Sequence, residues 1–425
     1  MSDKYTDHLG RPIVVVTGMG VLTSLGRGKK DNWEALTSGV SGIHHITRFP
    51  IEGLSTTIAG TVDFMEVEEV SAPAVSTAMA LATAGEALDQ AGYNGSGFPG
   101  PLFFAAPPVE LEWQHRFTLM AEEPGMEPGY AQLLAAARDH AHERMHERIQ
   151  LGSIAYKLAE TYGTKGLPIS LSTACASGAT AIQQGVEALR RGETEAALCA
   201  ASDGSVTAEG LIRFSLLSAL TTHNETPEKA SRPFSKDRSG FVMAEGSGAL
   251  VLETLEHARA RGAEILGVIR GVGEKADSFH RTRSSPDGIP AITAIKLSLA
   301  DAGIDSGEVD YINAHGTSTP ENDRMEYGAL KAVFGERIHD VPISSNKSMI
   351  GHTLTAGGAV EAVFSLMTIR EGVIPPTINY DHPDPDIPLD VVPNVKREAS
   401  VSTILSNSFG FGGQNACLVL GAEPN

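Results

Sequence analysis

The chain has 425 residues, of which 41% are hydrophobic and 20% charged, and it carries a formal net charge of −19 at pH 7. This length fits one large two-lobed domain or two ordinary domains, and the negative charge excludes nucleic acid and anionic membranes as favoured partners. Three widely spaced cysteines predict a reducing compartment, with neither a disulfide framework nor a metal cluster. The polar N-terminus and the absence of a long apolar run predict a soluble, cytoplasmic protein without integral membrane contact.

Two kinds of segment alternate along the chain. Short runs rich in β-branched residues predict buried strands at 13–17, 196–201, 249–252, 309–314, 343–345 and 402–406. Segments of helical period predict helices at about 78–92, 178–191, 290–302, 322–334 and 356–371. The alternation predicts an α/β protein in which helices cover buried sheets.

A short internal echo indicates two similar halves. The segments 87–93 and 298–304 resemble each other, and each is typical of a helix end followed by a C-terminal glycine. They lie roughly half the chain apart, as in a duplicated architecture. The segment from about 105 to 150 interrupts this pattern with prolines, methionines and a stretch rich in His, Arg and Glu, so we expect a loop and an exposed helix there.

The segment 172–178 (STACASG) contains the candidate nucleophile, Cys175. It follows an extended piece and precedes a helical pattern, so Cys175 is expected at a strand-to-helix turn. Free N–H groups and the positive end of a helix favour the reactive thiolate, and small neighbours leave room for a substrate. Cys199 and Cys417 are interpreted as buried structural cysteines.

Two histidines and a glycine-rich segment extend this candidate site. His315 and His352 each follow a predicted strand and lie among Gly, Ser and Thr residues, a setting in which α/β proteins place functional groups. The segment 407–415 (NSFGFGGQN) has glycines that allow a close backbone approach to a ligand. It is equally typical of a hairpin turn, in which 417–420 pairs with 402–405.

Together with 16–20 (VTGMG) and 231–238 (SRPFSKDR), these segments resemble the signatures of 3-oxoacyl-[acyl-carrier-protein] synthases of the Cys-His-His type. The resemblance covers nearly the whole chain except about 103–150. It implies a thiolase-like, five-layered α-β-α-β-α fold of two similar halves, here placed at 1–259 and 260–425, and a homodimer. In that family the divergent segment helps form the dimer face and line the acyl pocket.

The resemblance also implies a decarboxylative Claisen condensation between an acyl thioester and malonyl-[acyl-carrier-protein] in fatty acid elongation. The enzyme would need no cofactor of its own, because phosphopantetheine arrives on the carrier protein. Cys175 would hold the acyl chain, and His315 and His352 would act as neutral donors that stabilise the enolate. Their mutual repulsion is expected to favour the neutral form.

Further roles follow from the same resemblance. The N–H groups of Cys175 and Phe411 would form the oxyanion hole, Lys347 would order the charges around the histidines, and Glu361 would support them. The phosphopantetheine arm would bind Thr317 and Thr319, and Phe409 and Phe411 would gate the acyl pocket. The ordinary alternatives for these four are turn-forming threonines and core aromatics.

Two departures from the family bear on the substrate. Ser218 stands where many relatives carry an arginine thought to face the carrier, so a basic patch is expected elsewhere near the entrance. The divergent segment 103–150 leads us to expect an altered acyl length, in a long-chain or very-long-chain variant, or a dedicated carrier.

Other readings remain open on the sequence alone. His142, Glu143 and His146 match an H-E-x-x-H zinc motif, with Glu160 as a later carboxylate for the third ligand, although a solvated helix explains the segment more simply. The glycines of 17–20 form a G-x-G that is also found in nucleotide-binding turns. A non-catalytic relative would have lost the nucleophile, a thiolase would need a second catalytic cysteine, and a Cys-His-Asn enzyme would have Asn in place of His352.

Overall fold

The structure is a computed structural model that describes residues 3–94, 97–107, 110–138, 145–146 and 149–424. The strands are β1 (Val14–Thr23), β2 (Gly26–Arg27), β3 (His44–His45), β4 (Ile58–Ala59), β5 (Leu102–Ala105), β6 (Ile169–Leu171), β7 (Ala196–Asp203), β8 (Gly246–Thr254), β9 (Gly267–Ala276), β10 (Tyr311–Asn313), β11 (Ile343–Ser344), β12 (Val373–Ile374), β13 (Arg397–Glu398), β14 (Thr403–Phe409) and β15 (Gln414–Gly421). The helices are α1 (Gly28–Thr37), α2 (Ala72–Gln90), α3 (Trp113–Ala121), α4 (Tyr130–Ala136), α5 (Ser153–Tyr162), α6 (Ser177–Arg190), α7 (Ala208–Leu216), α8 (Leu255–Ala260), α9 (Ile289–Ala302), α10 (Pro320–Phe334), α11 (Lys347–Ile350) and α12 (Gly357–Glu371).

The predicted elements are present, and their bounds differ by a few residues. Each of the six predicted strands and five predicted helices corresponds to an observed one. The main strand that the sequence did not indicate is β9, whose interior glycines and charged residues break the apolar pattern. The predicted hairpin is confirmed, because β14 and β15 pair antiparallel with Leu405 opposite Val419.

The main sheet repeats one pattern of five strands. The order is β11-β10-β14-β15-β9-β1-β8-β7-β5-β6. In the set β1-β8-β7-β5-β6 the first two pairings are antiparallel and the next two parallel. The set β9-β15-β14-β10-β11 has the same directions in the same order. The two sets meet where β1 pairs with β9, so the predicted two similar halves are confirmed, while the boundary at 259/260 stays a prediction.

Equivalent glycines let an outer helix approach each set of strands. A Cβ at Gly18 or Gly20 of β1 would lie 2.0 Å from a carbonyl oxygen of α2. A Cβ at Gly271 or Gly273 of β9 would lie 2.2 or 2.3 Å from a carbonyl oxygen of α9. The G-x-G of 17–20 therefore serves helix-to-sheet packing inside a strand, and the nucleotide-turn interpretation is wrong.

The central layer consists of α6 and α12, which contact strands of both sets. The two helices cross at Gly178 and Gly358. A Cβ on Gly178 would lie 2.5 Å from the backbone nitrogen of Ala359, and one on Gly358 would lie 2.5 Å from that of Ala179. With α2 and α9 on the outer faces, these helices give the expected order of helix, sheet, helix, sheet and helix.

The chain leaves the layered core at about 105, as predicted, whereas the segment that diverges from the family was placed from about 103. Phe103 and Phe104 lie in the buried strand β5, between β6 and β7, so the departure from the layered core begins after that strand. Beyond it, α3 and α4 form a cap. Its start is tied to the core by Glu112, which accepts the N–H of Ala72, and by an ion pair between Glu110 and Arg213.

Candidate active site

The candidate nucleophile lies on a tight turn between β6 and α6. Cys175 stands two residues before the helix, as the strand-to-helix pattern predicted. Ala174 has φ +49°, a left-handed conformation that is costly for a residue with a side chain. The Ser177 hydroxyl holds the turn by accepting the N–H of Thr173 at 2.7 Å and donating to the carbonyl of Ala174 at 2.6 Å.

The glycine-rich loop between β14 and β15 brings main-chain donors to this sulfur. Hydrogen bonds reach the Cys175 side chain from the main-chain N–H groups of Phe411 and of Cys175 itself. The approach depends on Gly410, because a Cβ there would lie 3.0 Å from the carbonyl oxygen of Thr173 and 3.2 Å from the nitrogen of Cys175. The loop is thus both a hairpin turn and part of the candidate site.

The protonation state of Cys175 differs from the one expected from its position. Burial raises the pKa of the thiol to about 11, although the N–H of Phe411 and the Lys347 ammonium oppose that rise. The thiol is therefore the resting form at neutral pH, because desolvation outweighs the donors at the helix start. Cys199 and Cys417 are fully buried, as predicted for structural cysteines.

This resting state has a measurable consequence. Below its pKa the thiolate fraction of a cysteine grows about tenfold per pH unit, so we expect iodoacetamide to label Cys175 about ten times faster for each unit between about pH 7 and 9. Peptide-resolved mass spectrometry measures this rate, with the buried Cys199 as internal reference. A rate that levels off near pH 7 would contradict the raised pKa.

Parallel pairing brings both histidines to one edge of the sheet. β10 is hydrogen-bonded to β11 and β14 in parallel, so the segments that follow all three strands meet at their carboxyl ends. The ring centroids of His315 and His352 are 5.3 Å apart, with the planes at 83°. The ring of Phe409 lies 5.9 Å from that of His315.

The two imidazoles are held neutral. Burial lowers the pKa of both rings well below the usual range, and the nearby Lys347 ammonium lowers it further. The repulsion between the two rings, expected from the sequence, lowers the pKa of His315 less than burial and Lys347 do. Within the described part of the chain, neither Nδ1 has a hydrogen-bond partner.

Main-chain contacts fix where the histidines stand. Glu326 accepts the N–H groups of His315 at 2.9 Å and Gly316 at 2.8 Å, and it is fully buried. His352 donates its N–H to the carbonyl of Val242 at 2.8 Å. The sequence analysis did not identify Glu326. The one sign of its role in the sequence is that an acidic side chain stands on the apolar face of α10, which is buried.

Lys347 and Glu361 form an ion pair behind the histidines. Both side chains are almost completely buried, and the ammonium donates to the carboxylate. Burial raises the pKa of Glu361 to about 7, and the Lys347 charge opposes this rise. The two residues are brought together as predicted, although neither lines the cavity that contains Cys175.

This pair gives a test of stability. Lys347→Met leaves a buried carboxylate without its counter-charge, so we expect a loss of about 3–5 kcal/mol in the free energy of unfolding. The double variant Lys347→Met/Glu361→Gln is expected to recover most of that loss, because no buried charge remains. Denaturant midpoints for the two variants and the unchanged protein measure the difference. Equal destabilisation of both variants would contradict the pairing.

One cavity of about 510 Å³ joins the predicted site residues. Its lining includes Cys175, His315, His352, Thr317, Thr319, Phe409 and Phe411. The hydroxyls of Thr317 and Thr319 are 2.9 Å apart. Thr319 also caps α10 by accepting the N–H of Asn322, so it has both a structural contact and access to the cavity.

Aromatic side chains that the sequence left without a role complete the wall. Phe241 meets the ring of His352 edge-on at 5.3 Å and also contacts Phe214 at 5.3 Å. Phe214 in turn lies 6.5 Å from Phe411. These contacts surround His352 with apolar surface, which agrees with its lowered pKa.

The zinc interpretation finds no support in the described residues. His142 and Glu143 lie outside the described residues, while His146 contacts Gln150 and Glu160 pairs with Lys157. In the part of the chain that the structure describes, no group of three His, Cys, Asp or Glu side chains could hold a metal ion. In the same residues, no helix is both long and apolar enough to cross a membrane.

Comparison with known proteins gives consistent matches over the chain. The family model of the beta-ketoacyl synthase N-terminal domain matches residues 11–258, and that of the C-terminal domain matches residues 266–381. The chain is 38% identical to 3-oxoacyl-[acyl-carrier-protein] synthase 2 of Coxiella burnetii, over 96% of this chain and 98% of the relative. It is 37% identical to the tetracenomycin polyketide synthase ketoacyl synthase alpha subunit of Streptomyces glaucescens, over 97% of both chains.

Solved structures agree with this similarity. A type II PKS ketosynthase, solved in complex with its acyl-carrier protein and bound to the hexaketide, matches with a TM-score of 0.83 and 31% identity, over 97% of this chain and 100% of that one. A beta-ketoacyl synthase from Burkholderia phymatum STM815 matches with a TM-score of 0.82 and 31% identity, over the same shares. With its nucleophile turn, paired histidines and thiolase-like layers, the chain belongs to the beta-ketoacyl synthase family.

Proposed function

We propose that the protein catalyses the decarboxylative condensation of an acyl thioester with malonyl-[acyl-carrier-protein] to give a 3-oxoacyl-[acyl-carrier-protein]. The observation that carries this proposal is the cavity shared by Cys175, His315 and His352, with two main-chain N–H groups on the sulfur. Nucleophile, oxyanion donors and neutral imidazoles are the groups that this reaction requires.

In the first half-reaction Cys175 takes the acyl chain. The sulfur attacks the thioester carbonyl, the carrier thiol leaves with the cysteine proton, and an acyl-cysteine remains. The negative oxygen formed on the way is stabilised by the N–H groups of Cys175 and Phe411. One such donor is worth about 3 kcal/mol of activation free energy.

In the second half-reaction the malonyl thioester loses carbon dioxide. The electron pair of the breaking carbon–carbon bond forms an enolate, and its negative charge collects on the thioester oxygen. His315 and His352 are neutral at pH 7 because their pKa values are lowered, so each can donate an N–H to this oxygen. The enolate carbon then attacks the acyl-cysteine, the new carbon–carbon bond forms, and the cysteine sulfur leaves as thiolate and regains a proton.

The relatives support acyl chains as substrates. Several relatives at 35–38% identity are 3-oxoacyl-[acyl-carrier-protein] synthases 2, which favours fatty acid elongation. A second candidate is polyketide extension, favoured by the tetracenomycin relative and by the ketosynthase solved with its hexaketide.

Mass spectrometry after incubation with acyl carriers of varied length tests both candidates. An adduct on Cys175 followed by a single two-carbon extension with malonyl carrier supports fatty acid elongation. Repeated extension without reduction of the keto groups supports the polyketide alternative. A cysteine that accepts no acyl group from any carrier would contradict the proposed chemistry.

The divergent segment 103–150 supports a specialised choice of acyl chain. Its cap helices are anchored on α7 through Glu110 and Arg213, and α7 contributes Phe214 to the cavity wall. We propose a preference for long or very long chains. Identical acyl-length profiles for this protein and a chimera carrying the segment of an ordinary synthase would contradict this preference.

A homodimer is proposed at the free edge of β6. This strand is the last in its sheet, and two large apolar side chains beside the edge are exposed, Leu167 at 76% and Ile169 at 47%. An unpaired edge with apolar neighbours suits pairing with the same strand of a second copy. Light scattering is expected to give the mass of a dimer for the unchanged protein, and Ile169→Lys is expected to weaken that dimer. A monomer mass for the unchanged protein would contradict the proposal.

A further inference from the structure

We infer that Arg283 binds the phosphodiester of the phosphopantetheine arm at the mouth of the active-site cavity, an assignment that rests on the proposed function. The cavity contains Cys175 and extends to a loop at 277–285 that follows β9. Among the described residues that line the cavity, Arg283 is the one arginine or lysine. Apart from its histidines, the other described residues of the lining are neutral or acidic.

The guanidinium of Arg283 is available for a ligand. Its residue is exposed, and no ion pair or side-chain hydrogen bond joins it to another residue in the described ranges. Arg213, the chain neighbour of the lining residue Phe214, is by contrast already paired with Glu110. A free guanidinium on a protein of net charge −19 provides a local positive site on a surface that otherwise repels anions.

The loop that carries Arg283 is fixed to the candidate active site. Asp277 is buried and accepts the N–H groups of Phe279 at 2.9 Å and Ser285 at 2.7 Å. Two main-chain hydrogen bonds join this loop to the glycine-rich loop: Asp277 N–H to the carbonyl of Gly413, and Gly412 N–H to the carbonyl of Arg281. The position of Arg283 is therefore tied to that of the donors at Cys175.

The charges at the mouth indicate which part of a substrate meets Arg283. The inner wall offers hydroxyls and aromatic rings, which suit the neutral arm of phosphopantetheine. Among the other lining residues, Leu217 and Ser218 carry no charge, and Glu321 is acidic. The phosphodiester is the charged end of the arm, and a planar guanidinium binds phosphate oxygens through two parallel N–H donors.

Three acyl donors of increasing size test the assignment: acyl-pantetheine, acyl-phosphopantetheine and the acyl carrier protein. The rate of acylation of Cys175, followed by intact-protein mass spectrometry, gives kcat/KM for each. For Arg283→Ala we expect a loss of roughly tenfold with the two phosphorylated donors, as for one hydrogen-bonded charge. We expect no change with acyl-pantetheine. The loss with the phosphorylated donors is expected as a higher KM, with kcat unchanged.

Two control variants separate phosphate binding from general effects. Arg281→Ala removes the same charge from the same loop, but Arg281 does not line the cavity, so its rate with acyl-phosphopantetheine is expected to stay unchanged. Arg283→Lys keeps the charge without the two-donor geometry and is expected to recover part of the loss.

Each other outcome overturns the assignment. Equal losses with all three donors would indicate a packing role, a loss with the carrier alone would indicate contact with the protein surface, and no loss would remove Arg283 from binding. Absence of acylation by any donor in the unchanged protein would instead overturn the proposed function. The ratio between phosphorylated and unphosphorylated donors therefore distinguishes the two failures.

Discussion

Replacement of Cys175 by alanine is expected to abolish condensation, because the acyl chain then has no atom to which it can be bound. The histidines and main-chain donors remain, so we expect malonyl carrier still to lose carbon dioxide. Product analysis and intact mass measure the first effect, with no acyl adduct expected. Release of labelled carbon dioxide measures the second.

The matched control for this variant is Cys417→Ala. Cys417 is buried in β15 and does not line the cavity, so its replacement removes the same atoms away from the site. We expect this control to accept acyl groups at an unchanged level. Condensation at the normal rate in the Cys175→Ala protein would rule out a covalent acyl-cysteine.

Replacement of His352 by alanine is expected to separate the two half-reactions. The enolate then loses one of its two donors, and the loss of a donor to a developing negative oxygen typically lowers the rate by about 10²–10³-fold. In the proposed mechanism, acylation of Cys175 depends on the N–H groups of Cys175 and Phe411, so we expect part of it to remain. Carbon dioxide release from malonyl carrier and the mass of the acyl-enzyme measure the two steps separately.

His45 supplies the control for this second variant, because it is exposed and lies outside the cavity. His45→Ala is expected to change neither step. Normal decarboxylation in the His352→Ala protein would remove His352 from the proposed role. A total loss of acylation would instead place His352 in the first half-reaction.

Much of the fold follows from local patterns in the chain. Apolar runs such as 249–252 and helical periods such as 356–371 predict real elements because nearly all of their residues lie in the core, where pattern and burial agree. The hairpin of β14 and β15 follows from the glycines between two apolar runs. The strand β9 was not predicted from the sequence, because Gly271 and Gly273 interrupt its apolar pattern. These glycines allow α9 to pack closely on the strand, a contact that only the tertiary structure defines.

The candidate site likewise has features that the sequence predicts and features that only the folded structure reveals. The residue types and their order indicate Cys175, His315 and His352, since nucleophile and imidazoles lie in recognisable segments. The raised pKa of Cys175 could not be predicted, because it depends on how completely the folded chain removes water from the sulfur. Glu326 was missed for a related reason, because its role consists of main-chain contacts made across the fold.

The crossing of the two central helices sets the spacing on which the chemistry depends. Gly178 lies three residues after the nucleophile, and Gly358 lies six residues after His352, so their touching backbones act as a spacer between sulfur and imidazole. A single methyl group at either glycine would push the helices apart and widen the gap that the enolate must cross. Glycine at positions 178 and 358 therefore keeps the Cys175 sulfur and the His352 imidazole close enough for the carbon–carbon bond to form.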